Sequence, residues 1–415
     1  MSSDFDWQFS DGEASSAASG PSRPRRPRWR LWLVGLAVVA LAGGCVFVLW
    51  RLSQNALRRR DRQLQAVAQL ELSAVAGGDV ELYLSQQDNA NTNWYHAQER
   101  LAREGLLAPP PAPGLEVGRV AIAQARVVGD VGRVELAVTG VSSEQEPAVF
   151  SATRFYRQGP EARWLHTMPD AEYLGPVSIW LGESITLVGY ETDAEWLRPA
   201  ASHLERTGRT LCVLLECREL PVTLVFTDTM ESPVTQNVLP ALFVSGRPAD
   251  ETAIAVWQAA LDEFLLDQTI ARETGVSEAV LAGKPPPVGL IAHSVRERIR
   301  AQIGLRPWIV LDSEPIAAAL KSGDWLTLAD TESFTGDVAE GVDPLLLSEV
   351  DLFVHFVAAN YGERGVLDLL RAIPESGSLS DLVLRAFGQD LDTLDRLFLV
   401  YAEILTGRSS LIDSD

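Results

Sequence analysis

The chain has 415 residues, 47% of them hydrophobic, which is ordinary for a globular protein with two or three buried cores and excludes wholesale disorder. Its formal net charge of −21 is unevenly spread: residues 1–62 hold 10 of the 35 basic residues but only 5 of the 56 acidic ones, leaving −26 on residues 63–415. A surface of that sign repels phosphate backbones and anionic headgroups, which argues against nucleic acid as a partner.

Residues 1–30 are rich in Ser, Gly, Pro and Arg behind an acidic and aromatic head (Asp4, Phe5, Asp6, Trp7, Phe9). They show neither a helical nor a strand period and read as a disordered cytoplasmic tail. From Leu31 to Trp50 there are 20 residues without a charge, enough at about 1.5 Å per residue to cross a hydrocarbon core of roughly 30 Å as a helix. A secretory signal is the competing reading, but Phe47, Leu49 and Trp50 before Arg51 do not resemble a small-residue cleavage site. Five arginines precede the span (Arg23, Arg25, Arg26, Arg28, Arg30) and five follow it (Arg51, Arg58, Arg59, Arg60, Arg62), so the basic count is a tie. The closer approach of the N-terminal set, and the ease with which long C-terminal domains translocate, predict a single-pass cell-membrane protein with a cytoplasmic N-terminus and extracytoplasmic C-terminal domains.

Beyond the span, Leu64, Val67, Leu70 and Ala74 recur at helical spacing until Gly77-Gly78-Asp79, so the helix is expected to continue out of the membrane. A second helix is predicted from Asn93 to Glu104, broken at Pro109-Pro110-Pro111. The period then changes to two: Val134, Leu136 and Val138 alternate with polar neighbours, Gly129-Asp130 makes a turn, and two more strands flank Gln158-Gly159-Pro160. Helices followed by an antiparallel sheet predict an α+β domain over residues 56–172. This order resembles the cone-shaped nuclear-transport-factor-like (SnoaL-like) fold. That resemblance implies an Asp with a His or Tyr inside the cone, for which Tyr95, His96 and His166 are the candidates; read alone, each is a surface or satisfied core residue.

A second domain is predicted over residues 173–408. It has strands at Ile185–Val188 and Val222–Phe226, a helix between them capped by Thr192 or Asp193, helices at Ala253–Thr274 and Ala292–Ile303, a loop at Pro285-Pro286-Pro287, and helices throughout Leu345–Leu405. Cys45 lies in the span. Cys212 and Cys217 either form a disulfide in an exported domain or lie on one helix, where a five-residue spacing points them roughly 140° apart. His293, Ser294 and Glu297, with Arg296 and Arg298, read as a solvated helix face.

The segment LFVHFVAANYGERGVLDLLRAIPESGSLSDLVLRAFGQDLDTLDRLF, with its helix ending at a Tyr-Gly pair, resembles the C-terminal helices of peptidase MA-like (gluzincin) domains found in bacterial membrane-anchored proteins. The resemblance covers Ile185–Gly407 and implies an HExxH helix, in which two His at i and i+4 bind zinc and a Glu activates water. That helix falls on DEFLLDQTIARETG, so the three positions are held by Asp267, Gln268 and Ala271, a carboxylate, an amide and a methyl group. The third-ligand helix falls on PWIVLDSEPIAAAL, with Glu314 at the ligand position. Asp267 and Glu314 are therefore vestigial metal candidates, and with these substitutions no catalytic residue and no cofactor are expected.

The expectation is an α+β protein: one N-terminal transmembrane helix, a cone-like α+β domain, and a mostly helical gluzincin-like domain with a small N-terminal sheet. Its expected role is extracytoplasmic binding or scaffolding, with a peptide or protein ligand and a homodimer among its expected partners. The alternative is a divergent metal-dependent hydrolase using Asp267 and Glu314.

Overall fold

A computed structural model describes residues 29–105, 110–142, 146–169, 171–217, 222–227, 238–307, 313–332 and 344–407. Helices and two sheets make the class α+β. Residues 1–28 of the predicted tail and Pro109 lie outside the described residues; Trp29 and Arg30, expected in the disordered tail, are instead helical. The chain divides into two compact units, Met1–Arg59 and Arg60–Asp415.

In the first unit runs the beginning of helix α1 (Trp29–Gly77). Its Leu36, Val39, Leu41 and Leu49 are all about two-thirds exposed or more. Among the described residues this is the one helix long and apolar enough to cross a membrane, with a mean hydropathy of 2.0 and none of that stretch buried.

In the second unit, the C-terminal part of α1 lies against a sheet through Leu64, Ala68, Glu71 and Leu72, all buried. The expected stripe through Leu70 is corrected, since Leu70 is exposed. A 3.6-residue period carries the contact line from 64 to 68 and then to 71 and 72, and ionic partners in the sheet hold the charged Glu71 on that line. Two short helices follow, α2 (Val80–Ser85) and α3 (Thr92–Arg103), capped by Asp79 on the Leu82 amide at 2.9 Å and by Asn91 on the Trp94 amide at 3.1 Å.

Strands β1 (Glu116–Val128), β2 (Val131–Val141), β3 (Ala148–Gln158) and β4 (Trp164–Thr167) pair antiparallel in chain order. The β1–β2 turn uses Gly129 at φ 62°. Val134, Leu136 and Val138 point inward with Phe150, Ala152, Tyr156 and Trp164, so the alternation seen in the sequence is the core face.

Helix α4 (Ala171–Leu174) leads into a second sheet. There β5 (Val177–Leu181) pairs antiparallel with β6 (Ile185–Tyr190), and helix α5 (Ala194–Leu214) crosses to β7 (Val222–Thr227), parallel to β6, with β8 (Val238–Pro240) parallel beyond it. Asp193 occupies the cap position of α5 but makes no capping bond, because its carboxylate serves a different partner. α5 stops at Leu214 and Glu216 turns left-handed at φ 51°, which brings the Cα atoms of Cys212 and Cys217 to 4.7 Å within a disulfide. The reading with both cysteines on one helix is overturned by that turn.

Helix α6 (Leu242–Ser245) precedes β9 (Arg247–Pro248), which adds to β3 of the first sheet, Ser151 opposite Arg247. A two-residue strand from beyond residue 172 thus completes the sheet expected before it, and one hydrophobic cluster runs from Leu64 to Ala402. Asp193 explains the joint: Arg247 donates to its Oδ1 at 2.8 Å, to the Tyr173 hydroxyl at 2.9 Å and to Thr192 Oγ1 at 2.9 Å, and its plane lies over Trp196.

The remainder is helical: α7 (Glu251–Thr274), α8 (Glu278–Leu281), α9 (Pro286–Gln302), α10 (Ser313–Ser322), α11 (Leu328–Glu332), α12 (Pro344–Ala372), α13 (Leu379–Phe387) and α14 (Leu391–Leu405). Pro286 and Pro287, expected in a loop, open α9, whose first turn needs no amide hydrogen. Gly362 breaks α12 at φ 72°, directly after Tyr361.

Candidate functional site

Phe264, Asp267, Gln268 and Ala271 are spaced i, i+3, i+4, i+7, which puts them on one face of α7. Asp250 fixes where this helix starts by accepting from the Ala253 amide at 2.8 Å, and Gly275 ends it in the left-handed conformation at φ 75°. The turn after Gly275 brings Val276, Ser277, Ala279 and Leu281 opposite that face. Lys284 pins the following loop by donating to the carbonyls of Pro374 at 2.6 Å and Ser376 at 2.9 Å. The result is a cavity of about 320 Å³ with Phe264, Ile270, Val276 and Leu281 as its apolar lining and Asp267, Gln268, Glu278 and Arg296 as its polar groups. The methyl of Ala271 adds little bulk at its wall.

Sequence reasoning placed Asp267, Gln268 and Ala271 but missed Arg296, which reaches across from α9 and donates to Asp267 Oδ1. That pairing changes the chemistry available: the carboxylate is already neutralised, the Gln268 amide exchanges no proton at neutral pH, and Ala271 offers no donor or acceptor. Glu314 is exposed on α10 and is not among the residues that line the cavity. Among the described residues no group of three His, Cys, Asp or Glu side chains could hold a metal ion. The zinc that the gluzincin resemblance implies does not fit this donor set.

Behind the cavity α7 and α9 are joined by ions. Arg300 donates to Glu263 at 2.8 Å and to Glu297, and Arg306 meets Glu297 at 2.8 Å. Burial raises the Glu263 carboxyl above its ordinary range, with the charge of Asp267 adding to the rise and Arg300 opposing it. Ser294 and Glu297 are buried, which corrects the reading of this stretch as a solvated face. The helix presents them to α12, where burial raises Asp351 against the hydrogen bond from Ser294.

A second polar cluster lies under the first sheet. Glu71 on α1 has no solvent access; it accepts from the Tyr156 hydroxyl at 2.7 Å and Arg154 at 2.8 Å, and His166 Nδ1 stands 2.8 Å from it. Burial pushes the Glu71 carboxyl up, but the charges of His166 and Arg154 and the hydrogen bonds from His166 and Tyr156 outweigh it and hold the group at about 2. Burial also raises Tyr156 well above its ordinary value, assisted by the charge of Glu71. Of the three residues named for the cone, only His166 belongs here: His96 is exposed and pairs with Glu99 at 3.3 Å, and Tyr95 is half-buried on α3. Glu71, Arg154 and Tyr156 were missed, although a glutamate on the apolar stripe of a helix was the available signal. With its carboxylate sealed, this cluster locks α1 to the sheet, whereas the cavity beside α7 is open to a ligand. In comparisons with family models, curated proteins and solved structures, nothing matches this chain.

Proposed function

We propose that the chain is a membrane-anchored, extracytoplasmic binding or scaffold protein that takes a peptide ligand in the cavity beside α7. The observation that carries this reading is the cavity itself: an apolar lining for side chains, with polar groups at Asp267, Gln268, Glu278 and Arg296 able to orient a peptide backbone. It accords with a gluzincin-like plan that has lost its metal, following a cone-like α+β domain. The exposed apolar stretch of α1 supports the anchor. The Cys212–Cys217 disulfide supports an oxidising compartment for the part beyond it.

The test is filling the cavity. The full chain in nanodiscs is titrated with a fluorescein-labelled random peptide library, followed by polarisation, beside Ala271→Trp. Saturable binding that weakens at least about tenfold in the variant, with unchanged circular dichroism, is expected. Peptide binding that is equal in both proteins, or absent from both, would refute the proposal.

A further inference from the structure

The edge of a sheet leaves a row of backbone N–H and C=O groups without partners, and proteins commonly shield it with charge, proline, brevity or a covering segment. Most of the edges here are shielded. β1 carries Glu116, Arg119 and Arg126; β8 has three residues and ends in Pro240; β9 is Arg247–Pro248. β4 has four residues, and its His166 is bridged to Gln87.

β5 has none of these protections. Its five residues, Val-Ser-Ile-Trp-Leu, contain no charge and no proline. It ends the order of the second sheet, bonded to β6 on one side and unpaired on the other among the described residues. Val177, Ile179 and Leu181 project from one face and are 61%, 60% and 82% exposed. The opposite face is held in place, with Trp180 against the core and the Ser178 hydroxyl donating to Glu191 at 2.5 Å. The strand is therefore ordered, apolar and open along one edge.

We infer that β5 is the surface through which two copies of this chain associate, edge to edge and antiparallel, about a two-fold axis at Ile179. An isologous contact requires a patch that complements itself. In this register Ile179 meets Ile179 of the second copy, and Val177 meets Leu181, so every exposed apolar side chain of the strand finds another. The charges also permit it. The nearest carboxylate on the chain after β5, Glu183, falls opposite Gly175 of the second copy and already meets Arg209 at 2.9 Å. Glu191, which stands beside Gly175, is likewise engaged, by the Ser178 hydroxyl, so the carboxylates nearest the seam already have partners. Two four-stranded sheets become one continuous sheet, and both exposed edges are satisfied together.

The test uses the full chain in detergent micelles, with Cys45→Ser as the background to remove its exposed free thiol. Light scattering is expected to give a dimer for this protein and a monomer for Ile179→Lys. Because Ile179 is exposed, the thermal transition of the lysine variant should be unchanged. Ile179→Cys should cross-link to itself under copper-phenanthroline oxidation, whereas Val128→Cys, an equally exposed position at the end of β1, should not. A monomeric parent overturns the inference, even if added peptide occupies β5. So does a dimer that survives Ile179→Lys or fails to cross-link through Ile179→Cys, because another surface then holds it.

Discussion

Glu71→Ala is expected to destabilise the folded chain by about 3–5 kcal/mol, the usual cost of removing one partner from a buried ion pair. The loss is large because Arg154 and His166 remain buried at the place the carboxylate left, and the Tyr156 hydroxyl loses its acceptor. The effect has a definite pH dependence. Glu71 has its folded value held near 2 against an ordinary 4.5, so its contribution is fully present above about pH 5 and is lost as the pH falls toward 2. Urea unfolding of the micelle-embedded full chain, followed by tryptophan fluorescence, should show the gap between parent and variant at neutral pH closing as the solution is acidified through that window. A gap that is small at pH 7, or that widens on acidification, would contradict the assignment.

Arg247→Ala is expected to cost a similar amount, about 3–5 kcal/mol, for a different structural reason. Arg247 gathers Asp193, Tyr173 and Thr192 around one guanidinium at the point where β9 joins β3. Losing it takes the counter-charge from a carboxylate with no solvent access and loosens the strand that ties the second sheet's side of the chain to the first sheet. Hydrogen exchange should therefore rise along β3 near Phe150 and Ser151. In a double-mutant cycle, Asp193→Asn should add little to Arg247→Ala, because both remove the same interaction. Independent, fully additive losses would show that the two residues do not act as a unit.

How much of this was legible in the sequence depended on the range of the interactions concerned. Helix α7 was legible because its signals are local: a periodic apolar pattern and a glycine stop at 275, with Asp250 fixing the start two residues before the predicted one. The inward face of β2 was legible from alternation alone. β9 was not, because two residues ending in proline have no period, and their reason for being a strand lies nearly a hundred residues away in β3. The placement of the cysteines turned on a single left-handed residue, Glu216, that helix arithmetic does not anticipate. At the candidate site, i and i+4 spacing put Asp267 and Ala271 on one face, but the ion from Arg296 that decides the chemistry of Asp267 comes from another helix. Glu71 was visible as a charge on an apolar stripe; its meaning required Arg154, Tyr156 and His166, which two other strands supply.

The claim that the cavity beside α7 binds without catalysing rests on its donor set, and bound metal measures that set directly. The full chain in micelles would be incubated with zinc, freed of excess and analysed for the element. Less than about a tenth of an equivalent is expected, because the cavity offers as carboxylates only Asp267, already paired with Arg296, and Glu278, beside an amide and a methyl group. Near-stoichiometric zinc that disappears in Glu314→Ala would contradict the claim and establish a working metal site.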